Sequence, residues 1–318
     1  MRALAAKLGS HNVSLLVIGD RKGPSEFELP GATFVSLSDQ LGLPFSLSRL
    51  LPVDHYSRKN LGYLLAMQMG AACVYETDDD NIPAPNWEPR TLRANVEVGN
   101  RTGWMNVYRL YCDDLIWPRG FPLSEVRSDP LCFDSGLRPD LRAVDSPIQQ
   151  GLVDGSADVD AVWRLLFDRP IRFRNRSSMW LPAGAWCPFN SQNTWWWPPA
   201  YPLLYLPTHC SFRMTDIWRS LVAQRCLWEM GYGVVFHAPD MVQERNAHDL
   251  LSDFEDEVAG HVQNKRIASL LDGLSLFGSV SRNLLSCYEA LLRERILPAE
   301  ELDLLRAWVQ DWSSLNAS

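Results

Sequence analysis

The stretch that decides the fold is AACVYETDDDN, at residues 71–81. It begins as a short apolar run, typical of a buried strand, and ends in three adjacent carboxylates, Asp78, Asp79 and Asp80. Like charges at a strand tip repel one another, and a divalent cation is the simplest group that offsets the repulsion. Ligands of open α/β sheets bind beyond the carboxyl ends of the strands. This aspartate triplet (Asp78–Asp80) therefore indicates a metal and substrate site, with a polar turn as the alternative.

The residues before this stretch predict a strand, a helix and the acidic strand in succession. Residues 13–18 form an apolar run closed by Gly19 and Asp20, and residues 33–37 are a second candidate strand. Residues 57–70 carry apolar side chains at helical spacing and end at a glycine. This alternation predicts an α/β fold, a mixed sheet flanked by helices.

The remainder of the chain adds more helices than strands. A helix is predicted from residue 215 to residue 230, followed by a strand at 233–236. The composition after residue 246 is helical and charged. We therefore predict a catalytic domain over residues 1–246 and a helical C-terminal appendage over residues 247–318.

Composition excludes several classes of protein. The 318 residues are 46% hydrophobic with a net charge of −8, which argues against nucleic acid or anionic membranes as general partners. Seven cysteines without a C-x-x-C pair indicate reduced thiols and a cytoplasmic location. No apolar run approaches the ~20 residues of a membrane span, so we expect no transmembrane segment.

Three blocks of sequence carry a resemblance to a known family. They lie at residues 58–81, 190–194 and 212–231, and residues 243–249 continue the last one. Together they resemble the STELLO-type glycosyltransferases, relatives of the reversibly glycosylated polypeptides. The resemblance implies a glycosyltransferase-A fold (Rossmann-like and nucleotide-sugar-binding), a nucleotide-sugar donor, and Mn²⁺ or Mg²⁺. Golgi members carry a membrane-spanning N-terminal region, which we do not expect in this chain, so we do not carry over their location or their scaffolding role.

Within that family's chemistry, Asp78 and Asp80 are the predicted metal ligands. A bound Mn²⁺ or Mg²⁺ would offset the charge that grows on a diphosphate leaving group. His237 follows the predicted strand at 233–236 and is a candidate third ligand through a neutral imidazole, with a structural role as the alternative.

The predicted donor-binding residues lie at two strand ends and one helix start. Gly19 and Asp20 end the first strand, where the fold holds the base and ribose, and an aspartate accepts hydrogen bonds from either. Cations at a helix N-terminus favour an anionic ligand, and a solvated helix end is the alternative. The full predicted set is Gly19, Asp20, Arg58, Lys59, Asn60, Asp78 and Asp79.

An inverting transferase also needs a base that takes the proton from the acceptor hydroxyl. Asp216 opens a helix inside the family's most distinctive block and is the first candidate, with Asp160 and Asp158 as competitors. Each of them is also explained as a helix cap. A retaining enzyme would not require this base, and the sequence leaves the stereochemistry open.

The sequence therefore predicts a metal-dependent glycosyltransferase using a nucleoside diphosphate sugar, with UDP-sugars favoured. We expect a glycan or lipid-linked acceptor near Trp195, Trp196 and Trp197, because indole rings stack on sugars. The alternatives are a nucleotide-sugar mutase and a catalytically silent scaffold of a polysaccharide-synthesis complex. The expected location is the cytoplasm, including the surface of a membrane-bound glycan-assembly system. The sequence leaves open whether the chain forms a homo-oligomer.

Overall fold

The computed structural model describes residues 1–128, 141–244 and 249–316. The described strands are β1 Leu15–Ile18, β2 Ala32–Val35, β3 Val74–Thr77, β4 Asn81–Pro83, β5 Arg93–Val98, β6 Gly103–Trp104, β7 Leu141–Asp145, β8 Ile148–Gly155, β9 Ser178–Leu181, β10 Ala185–Trp186, β11 Asn193–Trp196 and β12 Val234–Gln243. The described α-helices are α1 Arg2–Gly9, α2 Leu37–Leu41, α3 Lys59–Gln68, α4 Val107–Tyr111, α5 Ala161–Phe167, α6 Thr215–Glu229, α7 Leu250–Asp272, α8 Val280–Arg293 and α9 Glu301–Leu315.

An eight-stranded mixed sheet forms the centre of the fold. Its strand order is β3-β11-β8-β12-β9-β5-β7, and β4 pairs with the second half of β12. The β8–β12 and β5–β9 pairs are parallel, and the other pairs of this sheet are antiparallel. A mixed sheet flanked by helices is the arrangement of a glycosyltransferase-A-like fold, as the sequence predicted.

The first two strands form a separate parallel pair. Helix α3 leads from this pair to β3 and packs on β1, which requires a glycine at the contact. A Cβ added to Gly62 would lie 2.9 Å from Cγ1 of Ile18, closer than side chains tolerate. The predicted strand–helix–strand unit is present, but the described hydrogen bonds of β1 go to β2 and not to β3.

The acidic strand begins three residues later than the apolar pattern suggested. Gly70 adopts φ of +76° and ends the helical segment, and β3 then covers Val74–Thr77. The strand extends through Glu76 because that carboxylate is buried and paired, so hydrophobicity alone could not locate the strand end.

Glu76 is the centre of a buried polar network that joins β3 to α6. Arg219 lies 3.0 Å from the Glu76 carboxylate, and both side chains are 1% exposed. The indole Nε1 of Trp196 donates to Glu76 at 3.1 Å, and the hydroxyl of Tyr63 donates to it as well. The Arg219 guanidinium also lies over the Trp196 ring, 4.9 Å from its centroid. These contacts hold the end of β3 in place, directly before the aspartate triplet.

The tryptophan triplet (Trp195–Trp197) is buried, so it does not present an open surface for stacking, but Trp195 lines the cavity described below, and an acceptor near this segment stays a prediction. At most 7% of each side chain is exposed. Strand β11 lies between β3 and β8, so both of its edges are paired, and the side chains on both of its faces are buried. Trp195 and Trp197 pack in one cluster with Leu4 and Leu8 of helix α1. The aromatic residues of this segment stabilise the core.

The C-terminal helices pack on the sheet-bearing part through buried carboxylates. Glu301, at the start of α9, accepts hydrogen bonds from the backbone N–H groups of Thr208 and His209. Asp311 accepts from the backbone N–H groups of Ser46 and Leu47, both at 2.9 Å. The predicted domain boundary, between residues 246 and 247, lies outside the described residues. None of the helices in the described ranges is both long and apolar enough to cross a bilayer.

We expect Arg219→Met to lower the free energy of unfolding by about 3–5 kcal/mol, because it leaves the buried Glu76 carboxylate without its countercharge. Urea denaturation at neutral pH measures the change. Arg306→Met, at an exposed position on α9, is the matched control and should change stability little. If Arg219→Met were as stable as the control, the ion pair would not hold β3 to α6.

Candidate functional site

A cavity of about 890 Å³ lies beside the aspartate triplet. Its walls come from α1, β1, α3 and β3 on one side, and from the loop at 156–159 and the start of α6 on the other. The aspartate triplet, Asp158 and Asp216 all line it, as does Lys59. The structure thus brings together residues that the sequence placed at a strand tip and at two helix starts.

The first carboxylate of the triplet is already paired with a cation. Lys59 Nζ lies 2.7 Å from Asp78 Oδ1, and the Tyr56 hydroxyl donates to the same oxygen at 3.0 Å. Lys59 also donates to the Tyr56 hydroxyl and lies over its ring. Burial disfavours charge on Lys59, but Asp78 outweighs it, so the pKa of the ammonium is raised. Lys59 therefore stays charged and lines the cavity, and its contact with a donor stays a prediction.

The third carboxylate has an oxygen that is buried without a hydrogen-bond partner in the described residues. This atom is Oδ1 of Asp80, whereas Oδ2 accepts from Gln243 Nε2 at 2.8 Å. Burial, together with the charges of Asp78 and Asp79, raises the pKa of Asp80. An orphaned buried carboxylate oxygen beside two further carboxylates is the environment that a bound cation would stabilise.

Arg119 joins two carboxylates across the cavity wall. Its guanidinium forms a bidentate pair with Asp158 at 2.8 and 2.9 Å, and another with Asp216 at 3.0 Å for both bonds. Burial alone would raise the pKa of Asp216, but Arg119 lowers it to about 2.

Asp216 lies inside the first turn of α6 and does not cap the helix, since residue 214 is the N-cap. Its carboxylate accepts from the backbone N–H of Ser191 at 3.1 Å. A general base works best with a pKa near the working pH, so these contacts favour an ion-pair role. Asp216 as the base stays a prediction.

The predicted residues at the end of β1 lie outside the large cavity. Gly19 and Asp20 line a separate hollow of about 260 Å³. The Asp20 carboxylate accepts from the backbone N–H groups of Asp54 and His55 at 2.8 and 3.0 Å, so it organises the loop that leads to α3. Its contact with a base or ribose stays a prediction.

Arg58 and Asn60 have structural partners instead of cavity contacts. The buried Arg58 donates to the Gln40 side chain at 2.7 Å and to backbone carbonyls at 51 and 52. The Asn60 amide exchanges two hydrogen bonds of 2.9 Å with the backbone of Leu206. Of the helix-start residues proposed for donor binding, Lys59 is therefore the one that lines the cavity.

His237 is not brought to the aspartate triplet. Its Nε2 contacts Gln149 at 2.9 Å and its Nδ1 contacts Ser178 at 2.6 Å, so both ring nitrogens have protein partners. Burial lowers its pKa well below the usual value. Gln243, which does contact Asp80, pairs with Gly155 of β8, whereas His237 pairs with Gly151, so the two positions are four residues of β8 apart, roughly 13 Å at strand spacing. His237 is a core histidine and does not complete a metal site with the triplet.

Asp160 also lies away from the cavity lining. It caps α5 by accepting from the Trp163 backbone N–H at 2.8 Å, which is the alternative that its sequence position offered. Its neighbours are Glu257 and His261 on α7, with ligand atoms within 4.8 Å of one another. Arg213 already pairs with Glu257 at 2.6 Å, and burial raises the pKa of Asp160 to about 7.

Sequence reasoning missed Arg119, Gln243 and Tyr56 as cavity residues. Arg119 lies in a loop read only as a turn, but it is followed by Gly120 at φ of +83°, where an added Cβ would meet Ile217 at 2.3 Å. That close approach of the loop to α6 places the guanidinium between the two carboxylates. Nothing in the local pattern of the sequence signals the long-range pairing.

The raised pKa of Asp160 predicts a pH-dependent stability. The folded state holds a proton that the unfolded state releases near pH 4, so the contribution of Asp160 to stability is lost as pH rises to about 7. Asp160→Asn removes this titration. The stability of the wild-type protein relative to Asp160→Asn should therefore be greater at about pH 5 than at about pH 8 in urea denaturation. Asp303→Asn, at an exposed position, should run parallel to the wild type. Parallel curves for Asp160→Asn would contradict the raised pKa.

Comparisons with known proteins relate the chain to glycosyltransferases. Residues 213–317 match the family described as STELLO glycosyltransferases. Two Arabidopsis thaliana proteins, "Probable glycosyltransferase STELLO1" and "Probable glycosyltransferase STELLO2", are each 30% identical over 93% of this chain. The chain spans 41% of the length of each. The "Probable UDP-arabinopyranose mutase 5" of the same plant is 23% identical over 96% of the chain and 89% of its own length. The resemblance read from the sequence blocks is thus confirmed, and the chain is related to the STELLO glycosyltransferases.

Proposed function

We propose that this chain is a metal-dependent glycosyltransferase that takes its sugar from a nucleoside diphosphate sugar, with UDP as the nucleotide. The observation that carries the proposal is the orphaned Oδ1 of Asp80, buried at the cavity beside Asp78 and Asp79. The sequence similarity to glycosyltransferases supports the same chemistry.

The residues present fit a divalent cation. Asp80 would hold Mn²⁺ or Mg²⁺ through its unpartnered oxygen, and Asp78 would contribute its carboxylate opposite the Lys59 contact. When bound, such an ion supplies positive charge to a diphosphate leaving group. Gln243 orients Asp80 by donating to its other oxygen, and Gln243 is itself held by Gln192. Because the Gln243 amide engages Oδ2 of Asp80, its Oδ1 is left without a protein partner in the described residues.

The remaining charged side chains of the cavity position the reactants. Lys59 is a permanent cation at the edge of the aspartate triplet and would contact a donor phosphate. Arg119 balances Asp158 and Asp216, so one negative charge of that pair is left uncompensated. That surplus suits the hydroxyl-rich acceptor of a glycosyl transfer, since carboxylates accept hydrogen bonds from hydroxyls. The proposed acceptor is a glycan or a lipid-linked saccharide.

A nucleotide-sugar mutase is the second candidate. It is favoured by the relative named as a UDP-arabinopyranose mutase, because the similarity covers most of both chains. The two activities differ in their products. A mutase converts the nucleotide sugar to an isomer, whereas a transferase releases UDP when acceptor or water is present. Chromatography of UDP-sugars incubated with the protein and Mn²⁺ separates the outcomes.

The metal and the nucleotide are tested together by thermal shift. A ligand that binds only the folded state raises stability by RT ln(1 + [L]/Kd). UDP with Mn²⁺ should therefore raise the melting temperature more than UDP or Mn²⁺ alone. An equal shift for UDP with and without Mn²⁺ would remove the metal from the proposal.

Asp80→Asn should weaken Mn²⁺-dependent UDP binding by about 10–100-fold, because it replaces the charged oxygen proposed to hold the ion. Calorimetry at fixed Mn²⁺ measures the affinity. The fold should persist, since the amide oxygen can still accept from Gln243. Asp303→Asn, remote and exposed, is the matched control. Wild-type affinity in Asp80→Asn would contradict the proposal that Asp80 holds the metal ion.

Asp216→Asn tests whether this residue acts as a base or as an ion-pair partner. A base role predicts that transfer to acceptor falls by ~10²–10⁴-fold while UDP affinity stays near wild type. Rates must be compared at saturating donor, so that weaker binding does not imitate a chemical defect. A small loss in Asp216→Asn and a large loss in Asp158→Asn would assign the base role to Asp158.

A further inference from the structure

Phe212 is an aromatic side chain that lines the cavity while remaining exposed to solvent. Its exposed fraction is 54%. Phe167, Phe254 and Phe277 are also exposed among the described aromatic residues, but they do not line this cavity. An exposed phenylalanine forgoes the hydrophobic gain of burial. A ligand that covers the ring would recover that gain.

The backbone around Phe212 is held on both sides. The Ser211 hydroxyl donates to the backbone carbonyl of Asp256. Arg213 pairs with Glu257, and its carbonyl accepts from Arg119. The ring itself packs edge-to-face on Tyr56, with centroids 5.7 Å apart and planes at 71°. Phe212 is thus anchored in place, which lowers the entropy cost of binding to it.

The groups around the ring are those that a saccharide needs. Phe212, in the 3₁₀ turn that precedes α6, and Asp216, in the first turn of α6, both line the cavity. Asp158 and Asn190 line the same cavity, where Asn190 Nδ2 donates to Asp158 at 2.7 Å, and the Asp158 oxygens have further lone pairs that can accept from hydroxyl groups. Tyr56, beneath the ring, donates to Asp78 of the aspartate triplet. An apolar platform bordered by hydrogen-bonding groups matches the apolar face and hydroxyl rim of a pyranose ring.

A diphosphate or a nucleobase fits this place less well. The carboxylates of Asp158 and Asp216 would repel phosphate oxygens, and a uracil offers a single N–H to several acceptors. A saccharide offers many hydroxyl donors. We propose that Phe212 is the stacking platform for the acceptor saccharide, an inference that rests on the proposed glycosyltransferase function.

The experiment uses cellobiose, xylobiose and β-1,4-galactobiose as probes in saturation-transfer difference NMR. Binding is measured with and without UDP and Mn²⁺. In Phe212→Ala the Kd of the disaccharide that binds wild-type protein should rise roughly tenfold or more, as expected for loss of a stacked ring. Phe212→Tyr should restore affinity to within about twofold, because the platform is kept. Phe277→Ala, 63% exposed and outside the cavity, should leave binding unchanged.

Unchanged disaccharide binding in Phe212→Ala would overturn the inference. So would the absence of saturation transfer from wild-type protein to all three disaccharides. A matching loss of Mn²⁺-dependent UDP affinity in Phe212→Ala would assign the ring to the nucleotide and overturn it as well. Failure of the wild-type protein to bind UDP with Mn²⁺ contradicts the proposed function instead, and the measurement without nucleotide then still tests the saccharide platform.

Discussion

The buried ion pair between Arg219 and Glu76 is the interaction on which the site depends. Two charges at 1% exposure are costly to bury, and they are tolerated here because Tyr63 and Trp196 complete the hydrogen bonding of the carboxylate. The pair joins α6 to β3. Since α6 carries Asp216 and β3 leads into the aspartate triplet, one buried contact sets the distance between the two walls of the cavity.

The sequence predicted the elements of the fold better than the partners of individual side chains. Local signals located the α3 helix and its stop at Gly70, the α6 helix and the cap at Asp160, because spacing and capping depend on near neighbours. The roles of Arg58, Asn60 and His237 depend instead on residues far along the chain. The sequence pattern of a cation at a helix start is the same whether the cation binds a phosphate or, like Arg58, donates to loop carbonyls.

The tryptophan triplet is a second case in which local sequence does not reveal the surroundings of a side chain. Its composition resembles a sugar-binding surface, but other elements of the fold cover both faces of this strand, and that burial is a long-range property. Phe212, a single aromatic residue in a polar stretch, has no compositional signal. Its exposure becomes visible only when the 3₁₀ turn at Phe212–Met214 is placed beside the cavity.

The two buried carboxylates of α9, Glu301 and Asp311, constrain the order in which parts of the chain can fold during synthesis. Glu301 satisfies the backbone N–H groups of the loop at 208–209, just before Phe212, and Asp311 does the same for Ser46 and Leu47. During synthesis the N-terminal part emerges first, and these amides, of which those of Leu47 and Thr208 are buried, lack their carboxylate acceptors until α9 has left the ribosome. The contacts that hold these two loops therefore form only after α9 has emerged, and the nascent N-terminal part must be kept from aggregation until then.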